Sequence, residues 1–476
     1  MYRHGIYNST TDTEMTAAVT TTFAQVAIGT APVHMTADPT AAVNKPVICY
    51  NMAECRSKLG YSADFAKYTL CQAMYASFSA FSVAPVVFIN VLDPSKHFTA
   101  VEETDYPVSD NVITIEDDVI VSTLVIKKES TPITADKYET EWVNGKLVVN
   151  FAETQTGEVS VSYNKADVSK VTAKDIIGAW DTETDARTGM EVIKSIYPML
   201  GVVPLILTAP GWTTDDTVGA ALSAKAAEIN GCYKGMAICD IDSTTAKTRA
   251  AAIEEKQSRT LNENCIAVWP MIKKNDMTIA LSAYLAAVIM DQAADSDGIT
   301  CKSPSNQRID IDDVVLSDGT SVYYDQEDGN ELNAEGIVTV ISRNGWYTWG
   351  NNTAAYPGET DPVKRWIMTR LSFLWIENDF INSNFAVIDS PLSSKMVEDC
   401  ITDENIKLAA YTAAGYIAGG TMYYNADDNP SEDILNGKFT FRTNLAANVP
   451  GECIENIFSF DTETLRNSIL GGTTNE

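Results

Sequence analysis

Three runs of continuous apolar residues, Val202 to Thr208, Gly235 to Ile241 and Cys265 to Ile272, alternate with helix-patterned stretches. Those stretches are Gly189 to Leu200, the Ala-rich Thr217 to Asn230, Thr244 to Arg259 and Met277 to Ala294. A strand with one wet face alternates apolar and polar residues. A strand that is apolar throughout has to be covered on both faces, which helices crossing between parallel strands achieve. The pattern therefore predicts an α/β (mixed α+β) core with a mainly parallel sheet. Ile337 to Ile341 adds a β-branched run, stopped by the tight-turn pair Asn344-Gly345. Pro362 suits the first turn of a following helix, where its missing N–H costs nothing. Trp366, Thr369, Leu371, Phe373, Leu374 and Ile376 make that helix too apolar for a surface position.

On the N-terminal side, residues 1–22 are polar and Thr-rich and read as an extended arm. Phe23 to Ile28 reads as a strand, closed by Gly29-Thr30-Ala31-Pro32, and Pro46 to Tyr50 as another. Ser62 is placed to cap a helix whose stripe is Phe65, Tyr68, Cys71, Tyr75 and Phe78. Pro85 to Leu92 is a further buried strand. From Asp93 the texture changes to short alternating runs: Val112 to Ile115, Val119 to Ile126, Trp142-Val143, Lys146 to Phe151 and Val159 to Tyr163. Asn144-Gly145 is a hairpin turn. Strand length and spacing predict a small all-β domain inserted into the α/β chain.

After Pro391 the pattern predicts two helices within Ser393 to Tyr424, broken near Thr402-Asp403-Glu404 and ended by Gly419-Gly420. Asn436-Gly437 predicts a hairpin turn into Lys438 to Arg442, and Glu455 to Phe460 a last strand before a polar tail. The expected division is an arm over 1–22, core over 23–92, the β insertion over 93–172, α/β core over 173–390, a C-terminal domain over 391–454, and a terminal strand and tail over 455–476.

The chain carries 64 acidic against 34 basic residues, a net charge of −30. That excess argues against binding nucleic acid or an anionic membrane, whose phosphates Lys and Arg would have to neutralise. Nine cysteines without a C-x-x-C pair fit buried free thiols in a reducing cytoplasm. Residues 1–30 have no apolar core of a signal peptide, and no window is apolar enough to span a bilayer. The histidines are His4, His34 and His97, all outside the α/β region, which makes a Ser-His-Asp or Cys-His arrangement improbable. Phosphate-cradling glycine motifs and H-E-x-x-H do not occur. The acidic groups Asp310, Asp312, Asp313 and Asp325, Glu327, Asp328, Glu331 lack EF-hand spacing and read as a solvated face. Catalytic, cofactor and metal residues are therefore expected to be none, and the chain is expected not to be an enzyme.

Gly345-Trp346-Tyr347-Thr348-Trp349-Gly350-Asn351-Asn352-Thr353, followed by a Trp-bearing helix, resembles the signature of contractile tail sheath proteins. Its motif core is Trp346, Trp349, Gly350, Asn351 and Thr353; the position before the Thr, usually basic in the family, is Asn352 here. Further matches are Gly5-Ile6-Tyr7 with Gly29-Thr30-Ala31-Pro32, the Leu59-Gly60 turn, Pro204 to Trp212, and Ser303-Pro304-Ser305-Asn306. The resemblance covers about 1–92 and 175–476. It implies a structural subunit that polymerises with itself as stacked six-membered rings in a helical sleeve around an inner tube protein. Baseplate and tail terminator proteins are the other implied partners. Such a sleeve contracts to drive the tube through a target envelope, without nucleotide or other cofactor. Assembly in a bacterial cytoplasm, then a place in a phage tail or a released bacteriocin particle, is implied too. The family joins subunits by exchanged terminal arms, here with Gly5, Ile6, Tyr7 and Ile457, Phe458, Phe460 as anchors. A helix of its C-terminal domain faces the tube, which singles out Glu398, Asp399, Asp403 and Glu404. The rival readings are an α/β enzyme without a recognisable motif and a surface-array or adhesin protein.

Overall fold

The computed structural model describes residues 22–470. Gly5, Ile6 and Tyr7 lie outside them. A nine-stranded sheet organises the chain: β1 (Phe23–Gly29), β2 (Pro46–Cys49), β3 (Val86–Asn90), β4 (Val203–Thr208), β5 (Met236–Asp240), β6 (Cys265–Val268), β7 (Arg308–Ile309), β8 (Ile337–Ser342) and β9 (Trp346–Trp349). Its spatial order is β7-β9-β8-β6-β5-β4-β1-β3-β2. The pairs from β8 through β6, β5, β4 and β1 to β3 are parallel. Antiparallel pairs close the two sides, β2 on β3 and β9 between β8 and β7. Every residue of β1, β3, β4, β5 and β6 is buried. Helices α1 (Asp216–Ala227), α2 (Leu281–Ala294), α3 (Gln326–Asn333), α4 (Ile367–Ser383) and α5 (Ser394–Ala413) follow along the chain, with α6 (Thr462–Ile469) at its end.

Residues 98–166 form two small antiparallel sheets. Phe98–Pro107, Glu158–Ala166, Val125–Lys128 and Thr131–Ile133 make one; Val112–Ile115, Lys146–Phe151 and Tyr138–Val143 make the other. Their inward residues, among them Ile113, Ile126, Val149, Val161 and Tyr163, gather in an apolar cluster separate from that of the main sheet. The ten-residue strand Phe98–Pro107 was not expected, because most of its residues are exposed and its sequence lacks alternation. One joint to the main body is polar. Asp118 accepts from Lys67 and faces His34 Nε2 at 3.4 Å, while the Trp142 ring meets the His34 ring edge-on at 5.1 Å.

Several sequence expectations are corrected. Ser62 caps no helix; its Oγ accepts from Asp64 N in a local turn, and the helix begins at Leu70. A helix at Met52–Lys58 precedes it, capped by Asn51, and was missed because Cys55 is its one buried residue. Met277–Ile279 is not helical. Asn275 and Asp276 both have positive φ, the two-residue hairpin conformation, and fold it back onto Met271–Lys274. Pro362 opens a separate turn, Pro362–Arg365, and Trp366 is extended before α4 starts. The helix α5 runs unbroken through Thr402-Asp403-Glu404, since Val397, Cys400, Glu404 and Leu408 share its buried face. Gly419 and Gly420 lie inside a strand, Ile417–Tyr423, not at a helix end. Asn436-Gly437 ends the helix Ser431–Leu435, with Gly437 in the left-handed region, a role open to Asn-Gly as much as a hairpin is. The strand that pairs with Ile417–Tyr423 is Arg442–Ala447. Glu455–Phe460 is in no strand, and the tail carries α6.

Candidate functional site: the motif loop and the root of the C-terminal segment

The motif residues meet around the β8–β9 hairpin. Asn344 and Gly345 take positive φ and turn the chain, so Trp346 pairs with Ser342 and Trp349 with Thr339. Thr348, fully buried, ties the hairpin to the 303–307 turn: its Oγ1 donates to Pro304 O at 2.6 Å, and its backbone N–H to Gln307 O at 3.0 Å. Gly350 N donates to Ser305 Oγ at 3.0 Å. Gly350 has φ +129, and a Cβ there would lie 3.0 Å from Val338 Cα, so the position demands glycine. Two stretches singled out separately in the sequence, Gly345 to Thr353 and Ser303 to Asn306, thus form one structure.

Beyond Gly350 the loop recruits α3 and the Pro362–Arg365 turn. Asn333, at the end of α3, accepts through Oδ1 from Asn351 N and Asn352 Nδ2, both at 3.2 Å. Its carbonyl accepts from Asn352 Nδ2 at 2.9 Å. Thr353 N donates to Arg365 O at 2.8 Å, and its Oγ1 to Lys364 O at 2.8 Å. Trp349 Nε1 donates to Asn330 at 2.9 Å. Lys256 donates to Tyr356 O beneath the loop; burial pushes its ammonium below the ordinary lysine value.

Arg365 sits at the centre of this construction. Its guanidinium carbon lies 3.9 Å from the Trp366 ring centroid and 4.3 Å from that of Tyr356. Its Nε donates to Asn352 Oδ1 at 2.9 Å, and its Nη2 to Glu452 Oε2 at 3.2 Å. Asn333 Nδ2 reaches Glu452 Oε1 at 3.4 Å. After Glu452 the chain leaves the body: every residue from Cys453 to Leu470 is exposed, including Ile454, Ile457, Phe458 and Phe460. Sequence reasoning picked out the last three but missed Arg365, Asn333 and Glu452. Aromatic residues beside a lone arginine were the available local signal; nothing local ties 333, 365 and 452 together.

The four acidic residues of α5 separate. Glu398, Asp399 and Asp403 are exposed. Glu404 is buried and turned inward onto Lys407 Nζ at 2.8 Å, which also holds Asp379 at 2.9 Å. Glu404 therefore offers no free charge in the subunit, a correction to its expected outward role.

The C-terminal ends of parallel strands are where open α/β sheets ordinarily bind ligands. Here they are braced by polar contacts. Asp240, at the end of β5, accepts from Ser282 N, Ser282 Oγ and Thr213 Oγ1. Burial pushes its carboxyl above the ordinary value although these bonds oppose it. Arg259 donates to the Asp240 and Thr213 carbonyls and pairs with Asp216 and Glu255. His97 Nδ1 accepts from Asp93 N at 3.0 Å. Lys274 bridges Asp310 and Asp312, Ser321 donates to Asp313, Asp325 caps α3, and Arg249 pairs with Asp328 and Glu331. Among the described residues no group of three metal-ligating side chains is placed to hold an ion, and no helix is long and apolar enough to cross a membrane.

No protein-family model matches the chain. Curated relatives do. The tail sheath protein of Burkholderia phage BcepMu is 27% identical over 443 residues, 86% of each chain. The major tail sheath protein of Serratia phage KSP20 is 27% identical over 300 residues, 62% of this chain and 72% of that one. The tail sheath protein of Escherichia phage P2 is 26% identical over 275 residues, 56% of this chain and 65% of that one. Among solved structures, the helical sheath of the anti-feeding prophage in its contracted state superposes with a TM-score of 0.57 at 14% identity, over 97% of this chain and all of that one. The sheath complex of an extracellular contractile injection system, also contracted, gives 0.54 at 14% identity, over 98% and 99% of the two chains. The chain is thus similar to tail sheath proteins in sequence along most of its length, and to contractile sheath subunits in fold along nearly all of it.

Proposed function

We propose that this chain is the structural subunit of a contractile tail sheath, polymerising as a six-fold helical sleeve around an inner tube and contracting to drive that tube through a cell envelope. The observation that carries the reading is the segment 453–470. It leaves the body with Ile454, Ile457, Phe458 and Phe460 between 77% and 90% exposed, and such apolar content is stable only when covered. A second copy supplies the cover. The pair Ile417–Tyr423 and Arg442–Ala447 is a two-stranded sheet that no further strand flanks among the described residues; Asn405 occupies Met422 N and O on the Ile417–Tyr423 side, which leaves the Arg442–Ala447 side as the edge for an incoming segment. An open edge accepts a neighbour's extended segment through main-chain hydrogen bonds, which hold a mesh together while the bodies rotate. Gly5, Ile6 and Tyr7 serve the same exchange from the other end.

In this reading the main sheet and its helices move as one rigid body. Residues 93–172 are an inserted all-β domain on the outer surface of the sleeve, outside the contraction machinery. Glu398, Asp399 and Asp403 face the inner tube. The baseplate starts assembly in the bacterial cytoplasm, a terminator protein ends it, and the energy of contraction is the gap between two lattices of one subunit. The rival enzyme reading is disfavoured by the bracing of Asp240 and Arg259 at the strand ends.

The test is negative-stain electron microscopy of the chain expressed with its tube and baseplate neighbours. Striated sleeves with six-fold end views are expected, and dispersed monomers in that mixture overturn the reading. Deleting residues 1–20, or everything after Gly451, is expected to leave a folded monomer that does not polymerise. Normal sleeves from either truncation would remove the arm assignment.

A further inference from the structure

The exposed C-terminal segment has a constructed root. Among the described residues, Asp461 to Ile469 hydrogen-bond with one another and with the adjoining Leu470 N. Glu452 is the nearest preceding side chain that grips the body, and it does so through both oxygens: Oε2 to Arg365 and Oε1 to Asn333. Arg365 is held by groups other than Glu452 as well. Two aromatic rings flank its guanidinium, and Asn352 holds its Nε. Asn352 is fixed in turn by the carbonyl and side chain of Asn333. Asn333, Asn352, Arg365 and Glu452 close a ring of side chains from α3, the motif loop, the Pro362 turn and the root of the segment.

We propose that this ring is the swivel of the C-terminal arm: Arg365 and Asn333 are positioning residues that seat Glu452 and so set the direction in which residues 453–470 leave the subunit. The proposal rests on the arm reading above and adds what the Asn351-Asn352-Thr353 stretch is for. A pre-ordered guanidinium loses little freedom when it takes a carboxylate, so the seat holds a direction. The pair is still partly open to water, with Glu452 42% and Arg365 22% exposed, and pairs of that kind are individually weak. A joint that holds one direction yet breaks under load suits an arm that must leave its body at different angles in two lattices.

The chain carries its own reporter. Cys453 adjoins Glu452 and is exposed; Cys232 is the other exposed thiol, and the remaining seven are buried. In a Cys232→Ser background, a nitroxide on Cys453 reads the order of the root in the monomer. The intact seat is expected to give a restricted spectral component. Glu452→Ala should reduce it several-fold with an unchanged melting temperature, as should raising salt from about 0.1 to about 1 M. The reciprocal pair Arg365→Glu with Glu452→Arg should restore part of it. Because Arg365→Glu also disturbs the aromatic stack, Glu452→Ala decides: an unchanged spectrum in that variant overturns the proposal. Sleeve yield is the second readout, and Glu452→Ala should lower it about threefold, a change equivalent to about 0.7 kcal/mol. Should truncation after Gly451 polymerise normally, the arm reading fails while the spectrum still reports the seat. Should truncation block assembly while Glu452→Ala alters neither spectrum nor yield, the swivel alone fails.

Discussion

Two apolar stretches of similar length meet opposite fates. Phe23 to Gly29 is buried at every position between β4 and β3. Cys453 to Phe460 carries Ile454, Ile457, Phe458 and Phe460, yet every residue is exposed. Burying a large apolar side chain is worth about 1.5–3 kcal/mol. In the first stretch that energy stabilises the subunit; in the second it is unrealised in the subunit and, on the arm proposal, goes to an interface. The fold closes without its last segment, so subunit stability and assembly should respond to different residues.

The largest effects should come from exchanging those roles. Leu207→Ala, at a fully buried site in β4, should cost about 2–5 kcal/mol, read by denaturant unfolding of the monomer. The triple change Ile457→Ala, Phe458→Ala and Phe460→Ala should shift monomer stability by no more than about 0.5 kcal/mol while abolishing sleeves under the microscope. A triple variant that unfolds the monomer would break the contrast, because the segment would then belong to the closed body.

The sheet was legible in the sequence for a physical reason. Runs such as Val203–Thr208 admit no wet face, so burial on both sides follows from residue type. The motif was legible because Trp346 to Thr353 is contiguous and its glycine is forced by backbone geometry. The rest depended on contacts distant in the chain. The Arg365–Glu452 pair spans 87 positions, and the Asn333–Glu452 contact 119. Glu404 looked like a break in α5 because a carboxylate on an apolar stripe reads as solvent-facing; Lys407 and Asp379, which resolve it, include a residue from another helix. Ile457 to Phe460 read as a strand because its residue types suit one, although a strand exists only with a partner.

Helix α5 sharpens the comparison within a single element. Glu404→Lys would remove the carboxylate that faces Lys407 and set a second ammonium beside it in a buried site, a loss of about 3–5 kcal/mol measurable in the monomer. Reversing Glu398, Asp399 and Asp403 to Lys should leave the melting temperature nearly unchanged, since all three are exposed. Their effect is expected in co-assembly with the tube and in its salt dependence. Co-assembly that is indifferent to the triple reversal would remove these residues from the tube-facing assignment.

The smallest expected effect asks whether residues 98–166 are clamped to the closed body or merely rest on it. Burial alone would push the Asp118 carboxyl up. The neighbouring His34 ring, the Lys67 ammonium that donates to it and the nearby Tyr68 overcome that and hold it well below the usual carboxylate range. A carboxylate whose folded value is depressed contributes stability that is fully present above its unfolded value of 3.8 and is lost as pH falls below it toward the folded value. Wild type should therefore exceed Asp118→Asn in urea stability at neutral pH, and the gap should narrow from about pH 4 downward. A clamp predicts more: the unfolding transition of residues 98–166, followed through Trp142, should move with that of the main sheet in wild type and separate from it in the variant. Coincident transitions in both proteins would mean that apolar contacts, not the Asp118 joint, bind the two clusters into one cooperative unit.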